Sequence, residues 1–164
     1  MSEYFYIQLG RSQDLLLPLE NTAGVVTLAL EQICPIPGVA SALWGVANQQ
    51  GKLLWVLELS VLLGLQPSNS ARWGYNLTLV VLTSHLVSST REPSERQIGC
   101  VVSDLKGIVA LNPQQFQPPW AAAPPFRSPY LFGMAEIEQT QVAVLNVGAV
   151  FATLSNLDPS LVGS

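Results

Sequence analysis

The residues able to do covalent or acid–base chemistry are few and scattered. The chain has one histidine, His85, next to Ser84. A Ser-His-Asp relay would need His85 held between a hydroxyl and a carboxylate such as Asp104. No Gly-x-Ser-x-Gly elbow exists to present a nucleophile, so His85 reads as a lone surface histidine. Cys34 and Cys100 lie far apart and outside any metal-spaced motif, and a single histidine does not complete a zinc set. Glu92 and Glu95 sit among Arg91, Arg96 and serines, the composition of a solvated loop. Glu136 and Glu138 fall at a hairpin turn, whereas paired catalytic acids need burial to separate their pKa values. Neither Gly-x-x-x-x-Gly-Lys nor Gly-x-Gly-x-x-Gly occurs to cradle phosphate. The expectation is a protein that is not an enzyme, with no cofactor and no metal.

Composition narrows the classes further. The 164 residues are 49% hydrophobic and 11% charged, with a net charge of −4. A chain of this length and apolarity buries a real core. So few charges are in keeping with surface covered by partners. The basic residues stand singly, so the clustered cations that displace counterions from nucleic acid are missing. The most apolar run, Leu53 to Leu65, is broken by Glu58 and falls short of the roughly 18 residues needed to span a bilayer. It reads as core. No charged leader with an apolar run precedes Tyr4, so a cytoplasmic location is expected, with both cysteines as free thiols.

The elements that must position any functional residue are short strands. Tyr4–Leu9 and Leu15–Leu19, separated by Gly10 and a polar turn, predict an opening hairpin, and Val25–Leu28 a third strand. Trp44–Asn48 and Leu53–Leu57 flank Gln49-Gln50-Gly51-Lys52, a second hairpin in which Trp44 and Trp55 are expected to face each other. A short helix follows within Glu58–Leu65. Leu77–Leu82, Ile98–Val102 and Gly107–Leu111 are three more strands, and Ser84–Arg96 between them is too polar for core. Prolines between Asn112 and Pro129 exclude helix or central strand there. Tyr130–Glu136 and Val142–Val147 form a last hairpin, and a short helix begins near Gly148. Many short strands with Gly and Pro turns predict barrels or a sandwich. Trp73 and Trp120 fall in loops, where anchoring a partner and capping a barrel end are equally open.

The chain also repeats. A step of 88 positions takes Pro37 to Pro125, Trp44 to Phe132, Gly45 to Gly133, Ala47 to Ala135, Val56 to Val144 and Leu57 to Leu145. A step of 83 takes Val26-Thr27-Leu28 to Val109-Ala110-Leu111. Two similar subdomains follow, with strands at about 4–65 and about 75–153 of a single domain spanning 1–164, and with strands free to exchange between them.

The stretch from Ile36-Pro37 through Trp44-Gly45-Val46-Ala47-Asn48-Gln49-Gln50-Gly51 to Val56-Leu57-Glu58-Leu59 resembles the signature of the CheW family of chemotaxis coupling proteins. In that family a Pro-rich lead precedes Gly-Val-x-Asn-x-Arg-Gly and a strand ending Val-Asp-Leu. Ile98-Gly99-Cys100-Val101-Val102 is similar to its Val-Gly-x-Val-Val-Asp strand, and Tyr130-Leu131-Phe132-Gly133 to its Tyr-Leu-x-Gly. The resemblance runs from about Tyr4 to Ala152. It implies an all-β fold of two packed five-stranded SH3-like barrels with short helical segments. It also implies a non-catalytic adaptor that binds the regulatory domain of a CheA-type histidine kinase and the cytoplasmic tip of chemoreceptors. Such a protein would be recruited to the inner face of the membrane by receptor arrays, without inserting itself, and would contact no nucleic acid.

The positions matching the motif are Gly45, Val46, Asn48 and Gly51, with Gln50 where the family usually has Arg; in the second half Gly99 and Val102 match. All seven are expected at a partner interface, Gly99 and Val102 having strand packing as an equal reading. Gly45→Asp is accordingly expected to weaken partner binding with modest loss of folding. Glu58 replaces the usual Asp, Ser103 stands where a second Asp is expected, and Trp55 stands where Pro is common. The implied output is chemotaxis-like control of movement, including pilus-driven movement or phototaxis. A scaffold for a non-taxis kinase is one rival. A small β-barrel enzyme or ligand-binding domain, with a pocket around His85 or Asp104, is the other.

Overall fold

The computed structural model describes residues 1–10, 13–39, 41–65, 76–86, 94–119 and 128–157. The described residues form ten strands and two short α-helices: β1 (Ser2–Leu9), β2 (Gln13–Pro18), β3 (Thr22–Ala29), β4 (Leu43–Gln49), β5 (Lys52–Glu58), α1 (Leu59–Leu62), β6 (Asn76–Leu86), β7 (Ser94–Val102), β8 (Asp104–Leu111), β9 (Leu131–Ile137), β10 (Thr140–Leu145) and α2 (Val147–Leu157). They form two five-stranded sheets, ordered β8-β1-β2-β10-β9 and β3-β6-β7-β5-β4. The fold is all-β, as the strand-rich sequence predicts. The strands β6 and β7 run into Ser84–Leu86 and Ser94–Arg96, a mostly polar stretch whose composition predicts a loop. A hairpin's outer turns need backbone pairing, not burial, so polarity alone misplaces its end.

The two sheets are built alike, strand for strand. β3, β6, β7, β5 and β4 of one correspond in order to β8, β1, β2, β10 and β9 of the other. Both contain one parallel pair, with Trp55 opposite Ile98 in one and Ala143 opposite Leu15 in the other. Both are closed by the same isolated bridge. The segment after β3 returns to the edge strand β4 through Cys34 and Val46, and the segment after β8 returns to β9 through Gln117 and Met134. The bridging hydrogen bonds are 2.7 and 3.0 Å in the first case and 2.8 and 2.9 Å in the second. Closure removes the unpaired edge that each sheet would otherwise expose.

The halves of the sequence and the sheets do not coincide. The first hairpin, β1–β2, joins β8–β10 from the far end of the chain, and β6–β7 joins β3–β5. Each barrel therefore holds a hairpin from one repeat and three strands from the other.

Three apolar clusters follow from this arrangement. Leu16, Ala135, Val142, Val144 and Tyr4 fill the first barrel. Leu28, Ala47, Val56, Leu79 and Val101 fill the second. The largest cluster joins the two barrels, with Ile7, Leu9, Leu15 and Leu17 from the first meeting Leu57, Leu82, Ile98, Cys100 and Val102 from the second. Helix α2 closes it with Val147, Val150, Phe151 and Leu154. Its start is set by Asn146, whose Oδ1 accepts from Ala149 N–H at 3.0 Å, the expected N-cap bond. Successive residues of β1 and β2 thus feed different cores, which is why both strands read as nearly continuous apolar runs.

Trp44 and Trp55 do not face each other. The β4–β5 register pairs Trp55 with Val46 and slips between Leu43 and Gly45. Trp44 packs against the core of the second barrel, Trp55 against the core between the barrels. A one-residue slip exchanges faces, and the bulge was not visible in residue types alone.

Candidate functional site

The β4–β5 hairpin, where the motif-matching residues concentrate, turns through Gln50 and Gly51 at φ 55 and 82, with Gln49 paired to Lys52. Two consecutive positive φ values are the signature of the two-residue turn that suits the twist of a hairpin. Asn48 Oδ1 accepts from Gly51 N–H at 3.0 Å and ties the turn down. Asn48, Gln50 and Gly51 are all exposed. Asn48 lies opposite Leu53, and Leu53 is 71% exposed, an apolar side chain standing on the hairpin's outer face. Val46 is half-buried on that same face, two residues before Asn48. Asn48, Gln50, Gly51 and Leu53, with Val46 at the rim, therefore make one continuous surface.

The other three motif positions are interior. Gly45 is buried at φ 142, and a Cβ there would collide with the Cys34 carbonyl, reaching its carbon at 2.7 Å and Pro35 Cα at 2.9 Å. Its role is to let β4 pass under the closing bridge of the barrel. Gly99 is buried too, and a Cβ there would lie 2.7 Å from Leu79 Cδ2 and 3.0 Å from Leu54 Cδ2. Val102 is 4% exposed in the core between the barrels. All three are buried where strands pack closely. The sequence predicts only a modest loss of folding for Gly45→Asp; because the clash is with backbone, the loss is expected to be large.

Glu58, where the family usually has Asp, is 5% exposed at the end of β5. Its Oε2 accepts from Trp44 Nε1 at 2.9 Å, and Ser60 Oγ donates to its Oε1 at 3.4 Å. A buried carboxylate is tolerated only with such donors. The residue pins Trp44 against the second barrel.

A polar cluster that the sequence reading missed sits at the mouth of the first barrel. Tyr6 O–H donates to Asp14 Oδ2 at 3.0 Å, Lys106 Nζ reaches Asp14 Oδ1 at 3.0 Å, and Lys106 Nζ lies 5.3 Å from the Tyr6 ring centroid. Burial, and then the hydrogen bond to Asp14, raise the Tyr6 phenol above its ordinary pKa. Lys106 is raised by its bond to Asp14. The predicted opening hairpin already sets Tyr6 near Asp14, but no local signal pairs β1 with β8, which brings Lys106 to them.

Asp104 is exposed, and its Oδ1 accepts from Leu105 N–H at 2.9 Å. The side chain of His85 and residues Trp73, Glu92 and Trp120 lie outside the described residues. Among the described residues no group of three or more His, Cys, Asp or Glu could hold a metal ion, and no helix is long and apolar enough to cross a membrane. Both cysteines are free thiols, Cys34 exposed and Cys100 buried.

Two closed five-stranded barrels, each completed by a hairpin from the other half of the sequence and packed across one core, with an apolar-tipped hairpin outside, define a two-barrel β fold. The chain matches the model of the CheW-like domain over residues 3–155 and belongs to that family. Comparison with curated proteins finds no match. Among solved structures, the scaffolding protein TtCheW of Thermoanaerobacter tengcongensis is similar in fold, with a TM-score of 0.69 at 14% identity, covering 89% of this chain and 90% of that one.

Proposed function

We propose that this protein is a non-catalytic adaptor that couples chemoreceptors to a CheA-type histidine kinase in a chemotaxis-like pathway, acting at the cytoplasmic face of the membrane. The observation that carries this reading is the family match over nearly the whole chain, on a fold whose motif hairpin is free of catalytic groups and ends in exposed apolar surface. Adaptors work by contact, so the needed parts are a rigid frame and a patch with an apolar centre and polar rim. Leu53 supplies the centre; Asn48, Gln50 and Gly51 supply the rim. The regulatory domain of the kinase is the partner assigned to this patch, and the receptor tip is the second partner of the molecule.

Gln50 bears on specificity. It places a neutral amide where the family usually has a guanidinium, which removes a charge and a bidentate donor from the rim. The kinase surface that meets it should therefore lack the carboxylate that an Arg would require. The test is a binding titration of the kinase regulatory domain against Leu53→Asp and Gln50→Arg. Leu53→Asp is expected to weaken binding about tenfold or more, with an unchanged unfolding midpoint because the side chain is already in solvent. Gln50→Arg is expected to change affinity. Wild-type binding by both variants would place the interface elsewhere.

A further inference from the structure

The correspondence between the barrels extends to their mouths, and there they differ. Gly24 and Gly107 sit at the same bulge, at φ 115 and 137, Gly24 within the register slip of its strand pair and Gly107 at the edge of its own, opposite Tyr6. From these markers Ala23 corresponds to Lys106, Val81 to Tyr6 and Gln97 to Asp14, since Tyr6 lies opposite Gly107 and Gln8 opposite Asp14, as Thr83 lies opposite Gln97. In the first barrel the three positions are filled by the Tyr6–Asp14–Lys106 cluster. In the second they are small or neutral. A cavity of about 310 Å³ opens there, lined by Ala23, Val26, Val81, Leu54, Gln97 and the hairpin tip residues Gln49, Gln50 and Lys52.

We propose that this mouth receives a tyrosine side chain presented by a partner protein. The first barrel shows what such a site holds. A phenol ring lies on the apolar wall, its hydroxyl bonds a side-chain acceptor at the Asp14 position, and a lysine ammonium faces the ring. The second barrel keeps the wall in Val26, Leu54 and Val81. It offers the Gln97 amide where the acceptor stands, and its ammonium comes from Lys52 across the mouth. Only the ring is missing. The cavity is also of the size that ligand sites occupy, about 300 to 1,000 Å³. The proposal rests on the adaptor reading only in taking a protein as the source of the tyrosine, and Gln50 places the cavity beside the proposed partner face.

The experiment is an NMR titration of the full chain with N-acetyl-tyrosinamide, N-acetyl-phenylalaninamide and p-cresol. Saturable shifts of the Gln97 and Gln49 side-chain amides by the tyrosine amide are expected, with the phenylalanine amide binding roughly three- to tenfold more weakly for want of one hydrogen bond. The grafted variant Ala23→Lys/Val81→Tyr/Gln97→Asp, which copies the first barrel's cluster into the second, is expected to lose these shifts. Should the graft not fold, Gln97→Leu serves: it is expected to bind both amides alike. Absence of shifts, equal binding of both amides by wild type, or shifts undiminished in the variants would overturn the proposal, as would p-cresol binding more tightly than the tyrosine amide, which would assign the cavity to a free phenol. Kinase binding is measured separately, so its loss or survival bears on the adaptor reading alone.

Discussion

Replacing Gly45 with alanine puts a methyl group against the carbonyl that closes the second barrel. The new Cβ would lie 2.7 Å from the Cys34 carbonyl carbon and 2.9 Å from Pro35 Cα, both backbone atoms that no rotamer change can move. The backbone at φ 142 adds strain of its own, on the order of 1–3 kcal/mol for a residue with a side chain. Overpacking adds about 1–3 kcal/mol more, and relief by displacement breaks the paired bonds between Cys34 and Val46. A loss of about 2–6 kcal/mol follows, a large part of the roughly 5–15 kcal/mol that holds a domain folded. Gly133 is its counterpart in the other barrel, and there the added Cβ would meet Gln117 O at 2.9 Å and Phe116 Cβ at 3.4 Å, without a strained φ. About 1–2 kcal/mol is expected for Gly133→Ala. Urea unfolding followed by circular dichroism reads both. Equal losses at the two positions, or a loss under about 1 kcal/mol at Gly45, would refute the claim that closure of the second barrel depends on a bare backbone there.

Gln139 stands at φ 67 in the β9–β10 turn, where the other barrel has Gly51; Gln139→Gly is expected to stabilise by up to about 1 kcal/mol, read as a higher unfolding midpoint. Tyr6→Phe removes the bond to Asp14 and should cost about 1 kcal/mol in the same assay, with no effect on the mouth of the second barrel. Cys34 should react with a thiol reagent in the folded protein, while Cys100 should react only on unfolding. Burial pushes the Cys100 thiol up to about 12, so the folded chain keeps a proton that the unfolded chain releases. Stability from this group is complete below about pH 9 and falls as pH rises toward 12; Cys100→Val should flatten that part of the pH–stability curve.

Much of the fold was legible because strands of four to eight apolar and branched residues stood between Gly and Pro turns. Pairing across the chain was less so. Trp44-Gly45-Val46-Ala47 and Phe132-Gly133-Met134-Ala135 match in the repeat, but only the packing shows that both glycines sit at a close backbone approach. The exchange of β1–β2 with β6–β7 left no mark on local residue types, since both hairpins are apolar strands flanked by polar turns. At the hairpin, Asn48, Gln50 and Gly51 read as exposed and are. A family motif, however, mixes contact residues with those that keep strands close, and only packing separated Gly45, Gly99 and Val102 from the surface. Leu53 lay inside an apolar run that read as core. Its exposure follows from alternation across a hairpin tip, where one face has no sheet to cover it.

The central claim is function by contact with a kinase, and titration calorimetry of this chain against the regulatory domain of a CheA-type kinase from the same cell tests it most directly. Saturable one-to-one binding with a negative heat-capacity change, as apolar burial requires, is the predicted result. No heat at any of several temperatures would contradict the coupling role and leave a two-barrel scaffold whose partner is another protein.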